Sequence, residues 1–482
     1  MKKILFFILP AMVLVSSCVD SLDDYNIDPK RPQSGAVPGV TLVSSAERSL
    51  ARTLVSSNVN LNVFRLYTQY WAETTYFDES IYQIKERRIN EGFWTAIYRD
   101  VLRDLQEARV IISANNDPLF DPAIKANQLA SIEVLEVYSW ATLVDLFGDV
   151  PYTDALDVNK AQPKYDKAND IYNDLIVRLD KAILALNASA SGLGNADLYY
   201  NGDVGKTIKF ANSLKLRLAM TIADVDPAKS QKMVSEVQGK LISSSSDNAA
   251  LTFLGDNPNT NPLFEDLVQS GRNDFVGTSF FIDKLNMLND PRVGEYFKPA
   301  ASGDYEGGEY GTSNSYDDFS APGTKIEDPT LPSVLISYSQ VEFMLAEAAA
   351  RGYSSVSGTA KSHYDAAVRA SIIYWGGTSA DATAYLAQPE VDYNNAASGA
   401  TYKEKIGIQK WISLYNQPVD SFREYRRLDY PQLTKPAQAL SNIPRRFPYP
   451  AVEQNLNGAN YNAAAAAIGG DNVDTKIFWD KF

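Results

Sequence analysis

The sequence predicts a mainly α-helical protein, built from helical hairpins that carry one loop-rich face. Three observations predict it. Apolar residues recur at three-and-four spacing through long stretches. Strand-type alternation is sparse by comparison. A late segment reads as two facing helices around a glycine-bounded turn.

In chain order, the first element is MKKILFFILPAMVLVSSCVDSLDD. Lys2 and Lys3 form a positive region, Ile4 to Val15 an apolar run broken by Pro10, and Ser16 and Ser17 a small-residue cleavage point before Cys18. The run is too short to span a bilayer comfortably, so residues 1–17 read as a signal peptide. Its Val-Ser-Ser-Cys ending resembles the bacterial lipoprotein signal, which implies lipid on Cys18. Several acyl chains on one cysteine anchor stably, at about 0.8 kcal/mol per buried methylene. An ordinary signal peptide with a cysteine nearby is the alternative, but Cys18 is the only cysteine of the chain. Residues 18–35, rich in Pro, Asp and Asn, read as a lipidated tether. Asp20, Asp23 and Asp24 are either solubilising charge or resemble the acids after the cysteine of surface-exported Bacteroidetes-type lipoproteins.

Bulk properties narrow the function. Without residues 1–17, 465 of 482 residues remain, more than one compact domain usually holds. A helical array can exceed that size as a single unit, so residues 36–482 read as one helical domain. Losing Lys2 and Lys3 takes the formal net charge from -14 to -16. That acidity argues against nucleic acid as a partner, because neutralising phosphates needs basic surface. A single cysteine allows no intramolecular disulfide. His363 is the only histidine, which leaves Ser-His-Asp triads, Cys-His nucleophiles and multi-histidine zinc sites almost nothing to be built from. Only carboxylate chemistry passes this filter. Beyond the signal no apolar run reaches spanning length, so attachment must rest on the lipid.

The helices follow. Trp94, Ile97, Tyr98, Val101, Leu105, Ala108 and Ile112 make one apolar face; Ile132, Trp140, Leu143, Val144 and Phe147 make a second, which Gly148 stops. Ala168, Ile171, Leu175, Leu179, Ala182 and Leu186 repeat the pattern. The hairpin at 334–375 has Leu335, Tyr338, Val341, Leu345 and Ala349 on its first helix, and Ala360, Tyr364, Ala367, Val368, Ser371 and Trp375 on its second. Its small and bulky residues alternate as in a tetratricopeptide pair, without an accurate 34-residue repeat. His363 sits beside that stripe in a structural or surface role. From about 245 to 332 the chain turns rich in Gly, Asn, Asp and Pro with interspersed aromatics. A long segment of that kind is normally either disordered or functional, and its aromatic content argues against disorder.

Several phrases together resemble the SusD/RagB family of outer-membrane nutrient-binding lipoproteins, in its SusD-like branch. They are Leu146-Phe147-Gly148-Asp149-Val150-Pro151-Tyr152, LYYNGDVGKTIKFANSLKLRLAM from Leu198, NDPRVGEYFKP from Asn289, the hairpin, and two closing phrases, QKWISLYNQPVDSFREYRRLDYPQL and IPRRFPYPAVEQNLNGANYNAA. Thr207 and Ile208 after Lys206, and Phe422 before Glu424, stand where the family often has tryptophan; both read as packing changes. The resemblance implies a SusD-like fold with tetratricopeptide-type hairpins as scaffold and a loop-rich face that captures ligand. It also implies a TonB-dependent, SusC-like β-barrel transporter as partner, and an oligosaccharide or sometimes a peptide as ligand. The location implied is the outer membrane, lipid-anchored and exposed at the cell surface.

Sugars present apolar C–H faces and hydroxyl edges, which suit aromatic platforms beside amides and carboxylates. Two groups qualify: Tyr76, Phe77 and Tyr82 in TQYWAETTYFDESIYQ, near Trp71, and Tyr305, Tyr310 and Tyr316 in the insertion. Against both stands the count of 28 Tyr, 20 Phe and 6 Trp, most of which must fill core. Arg426, Arg427, Arg445 and Arg446 read as forks pairing with internal carboxylates rather than as a grip on an anion. Asp304, Glu306 and Glu309 match no calcium-loop spacing. The expectation is a binding protein with no catalytic residue, no metal and no cofactor. Its rivals are a surface glycoside hydrolase using a carboxylate pair and a helical scaffold that binds peptide or no small ligand.

Overall fold

The computed structural model describes residues 36–482. The signal peptide expected at 1–17, the tether at 18–35 and Cys18 lie outside the described residues. The chain is mainly helical. Helix α1 is Gly39–Val55, with Val43, Ala46, Leu50 and Leu54 buried at helical spacing. Helix α2 runs without a break through Ile89–Thr95, a π-helical segment Ala96–Leu102, and Arg103–Ala114. Helices α3 (Pro122–Phe147), α4 (Ala168–Ala185), α5 (Val204–Thr221) and α6 (Pro227–Val237) follow. After the loop-rich stretch come α7 (Tyr338–Ala350), α8 (Ala360–Tyr374), α9 (Tyr402–Ser413) and α10 (Pro418–Leu428).

Local chemistry sets the ends of these helices. Asp121, Asp203 and Asp226 each receive an orphan N–H at the start of α3, α5 and α6, and Pro122 and Pro227 occupy first turns where no donor is lost. Ser337 with Gln340, and Thr359 with Ser362, form capping boxes on α7 and α8. Gly148 ends α3 at a φ of 81°, a conformation that favours glycine. Asp149 then takes the first N–H of α4 at 2.8 Å, and Val150–Pro151 pairs with Tyr165–Asp166. The phrases that carried the family resemblance thus serve backbone geometry.

Consecutive helices pack as pairs, α1 on α2, α3 on α4, α5 on α6 and α7 on α8, and the pairs pack on each other through α2–α3, α4–α5 and α5–α7. Leu335, read from sequence with the first helix of the hairpin, lies instead in the strand Ser333–Ile336, which pairs with Ala249–Leu251. His363 bridges Glu342 at 2.6 Å and the Ser357 carbonyl at 2.7 Å, tying the hairpin turn to both its helices.

Helix α10 is the hub. All its residues are buried although its sequence, PVDSFREYRRL, is strongly charged. Arg427 donates bidentately to Glu347 of α7 at 2.7 and 2.6 Å and reaches Glu424 at 2.6 Å. Glu424 also receives Lys410 of α9 at 2.7 Å and Arg423 at 3.0 Å. Arg423 and Arg217 of α5 share Asp420 at 2.8 and 3.3 Å, and Arg217 lies 3.7 Å from Asp145 of α3. Arg426 departs from the expected carboxylate pairing. Its guanidinium donates to the carbonyls of Phe422, Asp145 and Arg445 and stacks on the Phe422 and Trp479 rings. The neighbouring pair is conventional: Arg445 meets Asp480 at 3.2 Å and Arg446 meets Asp471 at 2.7 Å.

Removing one partner of a buried ion pair leaves the other charge stranded. Arg427→Met should therefore cost about 3–5 kcal/mol, read as a lower urea midpoint. Burial opposes ionisation of Glu347 and Glu424, but Arg427, with Lys410 and its neighbours, outweighs it and holds both carboxyls below the ordinary value of 4.5. A depressed carboxyl contributes stability that is complete above its unfolded value and lost as pH falls through its folded one. The stability gap between wild type and Glu424→Gln should be full at neutral pH and should close as pH drops below 4.5.

Candidate functional site

The segment after the short helix Phe64–Tyr67 starts the site. Trp71–Glu73 pairs antiparallel with Phe275–Gly277, two strands far apart in sequence. Thr74 extends the pairing, its N–H on the Asp274 carbonyl at 3.0 Å and its hydroxyl on the Asn273 carbonyl at 2.6 Å. Asn314 closes the other flank, donating from Nδ2 to the Glu73 carbonyl at 3.0 Å. Gly308 bonds the Gly277 carbonyl at 2.8 Å, and beside it a Cβ on Gly307 would fall 2.3 Å from the Ser279 nitrogen. Only glycine permits that approach. The two segments that carry the aromatic groups are thus brought together, Tyr82 and Tyr310 meeting at 6.4 Å.

Their side chains divide sharply. Tyr76 is 73% exposed and sits at a φ of 52°, in the left-handed region that bulky residues avoid. Phe77 beside it is half-buried. Tyr82 also has a positive φ, 69°, but is only 3% exposed, its ring 5.9 Å from Tyr67 and 6.4 Å from Tyr310. Burial pushes its hydroxyl up to about 12, with Tyr310 and Gln69 acting against the shift. Tyr310 is half-buried with its hydroxyl enclosed, so this pair serves packing. Tyr305 and Tyr316, both half-buried, lie toward Gly294 and Lys298 respectively. Trp71 is core: its indole N–H bonds the Tyr415 hydroxyl at 2.8 Å, and its ring packs on Phe275 at 5.2 Å.

Tyr76 stands at a cleft of about 480 Å³. Three separate segments build it: Ser57–Asn60 after α1, the strand and turn from Glu73 to Arg87, and Asp266 to Phe275. Asp266 comes from a single π-helical turn, Glu265–Gln269, of a kind that recurs at functional sites. Asn58, Asn60, Asp266, Arg272 and Asp274 were not singled out by the sequence. Four of them have as their only signal a place in the polar loops NVNLN and SGRND, and Asp266, in LFEDLVQ, has none.

The charges are mostly committed. Arg272 forks onto Asp274 at 2.6 and 3.0 Å, and Arg87 reaches Asp78 at 3.1 Å and Glu79 at 2.9 Å. The Glu73 carboxylate takes Ser80 Oγ at 2.6 Å; burial, then the charge and hydrogen bond of Glu79, push its carboxyl well above the usual range. Burial likewise raises Asp266, which accepts from Ser57 Oγ at 2.9 Å. An exposed ring beside amides and carboxyl oxygens in an open trough can stack an apolar face and satisfy several hydroxyls at once.

Comparison with known proteins places this geometry. A family profile described as SusD-like, "Starch-binding associating with outer membrane", matches residues 29–450. Among solved structures, a chitin-binding protein is 27% identical, with a TM-score of 0.79, over 92% of this chain and 100% of its own. A SusD homologue from Bacteroides uniformis is 26% identical, TM-score 0.76, over 92% and 99%. A chitin-binding SusD homologue from Flavobacterium johnsoniae has the same fold at 23% identity, TM-score 0.75, over 93% and 98%. No curated protein matches the chain.

Holding Tyr76 in a left-handed conformation costs about 1 kcal/mol that glycine would not. Tyr76→Gly should therefore leave the thermal midpoint unchanged or raise it, whereas β-branched Tyr76→Val should lower it. A clear loss of stability in Tyr76→Gly would mean that the ring is held by packing instead.

Proposed function

The chain belongs to the SusD-like family, and on that premise we propose that it is a cell-surface lipoprotein that captures a nutrient oligosaccharide and delivers it, unaltered, to a TonB-dependent SusC-like transporter. The family is one associated with the outer membrane and with starch binding, and a similar solved structure carries the name chitin-binding protein. Lipid on Cys18 would supply the attachment. Among the described residues no helix is long and apolar enough to cross a membrane. In this reading the helical hairpins serve as the rigid frame that meets the barrel, and the opposite loop-rich platform takes the ligand. Tyr76 and Phe77 contact the sugar, Tyr82 and Tyr310 brace them, and Tyr305 and Tyr316 extend the rim.

One observation carries the ligand assignment: a tyrosine ring held exposed on unfavourable backbone at the mouth of a polar cleft. Strain of that kind persists only where surrounding structure enforces it, and it concentrates at ligand sites. The same cleft speaks for binding without turnover. Hydrolysis needs two carboxyl groups about 5 to 9.5 Å apart flanking the scissile bond. Glu73 and Glu79 are instead 3% and 1% exposed, too enclosed to flank a sugar.

Calorimetry against starch and chitin oligomers should show binding with no hydrolysis product. Tyr76→Ala should weaken it about tenfold, equivalent to about 1.4 kcal/mol. Binding indifferent to Tyr76, or product formation, would overturn this function. For the anchor, Cys18→Ser should move the protein from the membrane fraction to the soluble one. Mild-detergent purification of the natural protein should bring down a large β-barrel.

A further inference from the structure

We propose that the cleft beside Tyr76 prefers oligomers of a free amino sugar, bearing ammonium groups, over their N-acetylated and uronic counterparts. The inference rests on the glycan-capture reading above and names the ligand chemistry of the same site. The cleft is marked as a site by the exposed Tyr76 ring at its mouth, independently of its charge. Its charge then selects. Four carboxylates line it, Glu73, Glu79, Asp266 and Asp274, against two guanidiniums, Arg87 and Arg272.

Both guanidiniums are already engaged. Arg272 is taken up by Asp274, and Arg87 is divided between Glu79 and Asp78 just outside the lining. Among the described residues no ion pair reaches Glu73 or Asp266; hydroxyls of Ser80 and Ser57 are their close donors. Arg65, packed beneath against Trp71 and bonded to the Val55 and Ser56 carbonyls, gives Asp266 only a weaker attraction. Glu265 on the neighbouring turn adds repulsion. Two carboxyls short of a counter-ion resist ionisation, and a cation arriving in the cleft relieves both. An ammonium on a pyranose ring supplies that cation while the ring's apolar face lies on Tyr76. A uronate in the same place would add a further carboxylate to a lining that already holds four against two guanidiniums.

The test is calorimetry in weakly acid buffer with glucosamine, N-acetylglucosamine and galacturonic acid oligomers of equal length. The glucosamine oligomer should bind about tenfold tighter than its N-acetylated form, a margin that shrinks several-fold as salt rises from about 0.05 to 0.5 M. Asp266→Asn should narrow the margin to less than about threefold. A wild-type readout needs no variant: binding of the ammonium oligomer should release protons as Glu73 and Asp266 ionise, giving an apparent enthalpy that depends on the buffer. Equal or weaker binding of the glucosamine oligomer overturns this inference and leaves glycan capture intact. Failure of all three oligomers, and of a starch oligomer as well, overturns glycan capture itself. Tighter binding of oligolysine than of the glucosamine oligomer overturns the assignment to a sugar.

Discussion

The structure depends on keeping α10 in the middle of the protein with its charges satisfied, all but Arg426 by ion pairs. A buried guanidinium or carboxylate without a partner is prohibitively costly, and pairing repays the desolvation only when geometry is right. Here the partners come from α3, α5, α7 and α9, so each pair is correct only when all the helices stand in one register. The network therefore does less for net stability than for uniqueness: a slipped hairpin would strand a charge in the core. Apolar packing along the array, from Val43 and Leu50 of α1 to Phe343 and Tyr364 of the late hairpin, supplies the drive to fold.

That rigidity is what lets the loop-rich side hold unfavourable backbone. Tyr76 and Tyr82 both carry positive φ values, and between them the chain makes the turn that aims one ring outward and the other inward. The turn is clamped on the Phe275–Gly277 strand, under Asn314 and against the Tyr67–Phe422–Phe447 cluster, whose Phe422 belongs to α10. Scaffold and site are thus mechanically continuous. The residue that stands in place of a tryptophan in the family phrase, Phe422, is part of that link.

Much of this was legible in the sequence because helical burial is periodic. Trp94 to Ile112 and Ile132 to Phe147 show their faces directly, and Gly148 its stop. What stayed hidden has physical causes. Helix α10 is so polar that spacing alone would place it on the surface; its burial is a property of partners on four other helices. Arg426 and Arg427 are identical in type, yet successive residues on a helix point about 100° apart, and only Arg427 faces carboxylates. The aromatic groups can be named from the sequence, but not which rings are exposed: Tyr76 and Tyr82 differ by the direction of a turn. Asn58, Asn60 and Asp266 could not be nominated at all, since the cleft exists only where three distant segments converge.

The Trp479 indole N–H is one of the donors to Asp145, at 3.0 Å and across 334 residues of chain. Asp145 also receives the Tyr172 hydroxyl, and it anchors the α3 end of the charge network. A nascent chain that has not yet reached residue 479 must leave that carboxylate under-coordinated, with the Arg426 guanidinium lacking one of its two stacking rings. Closure of the interior is accordingly a late event in biosynthesis, reached only after nearly every helix has been made, and a truncated product would keep a flaw at its centre and not at its edge.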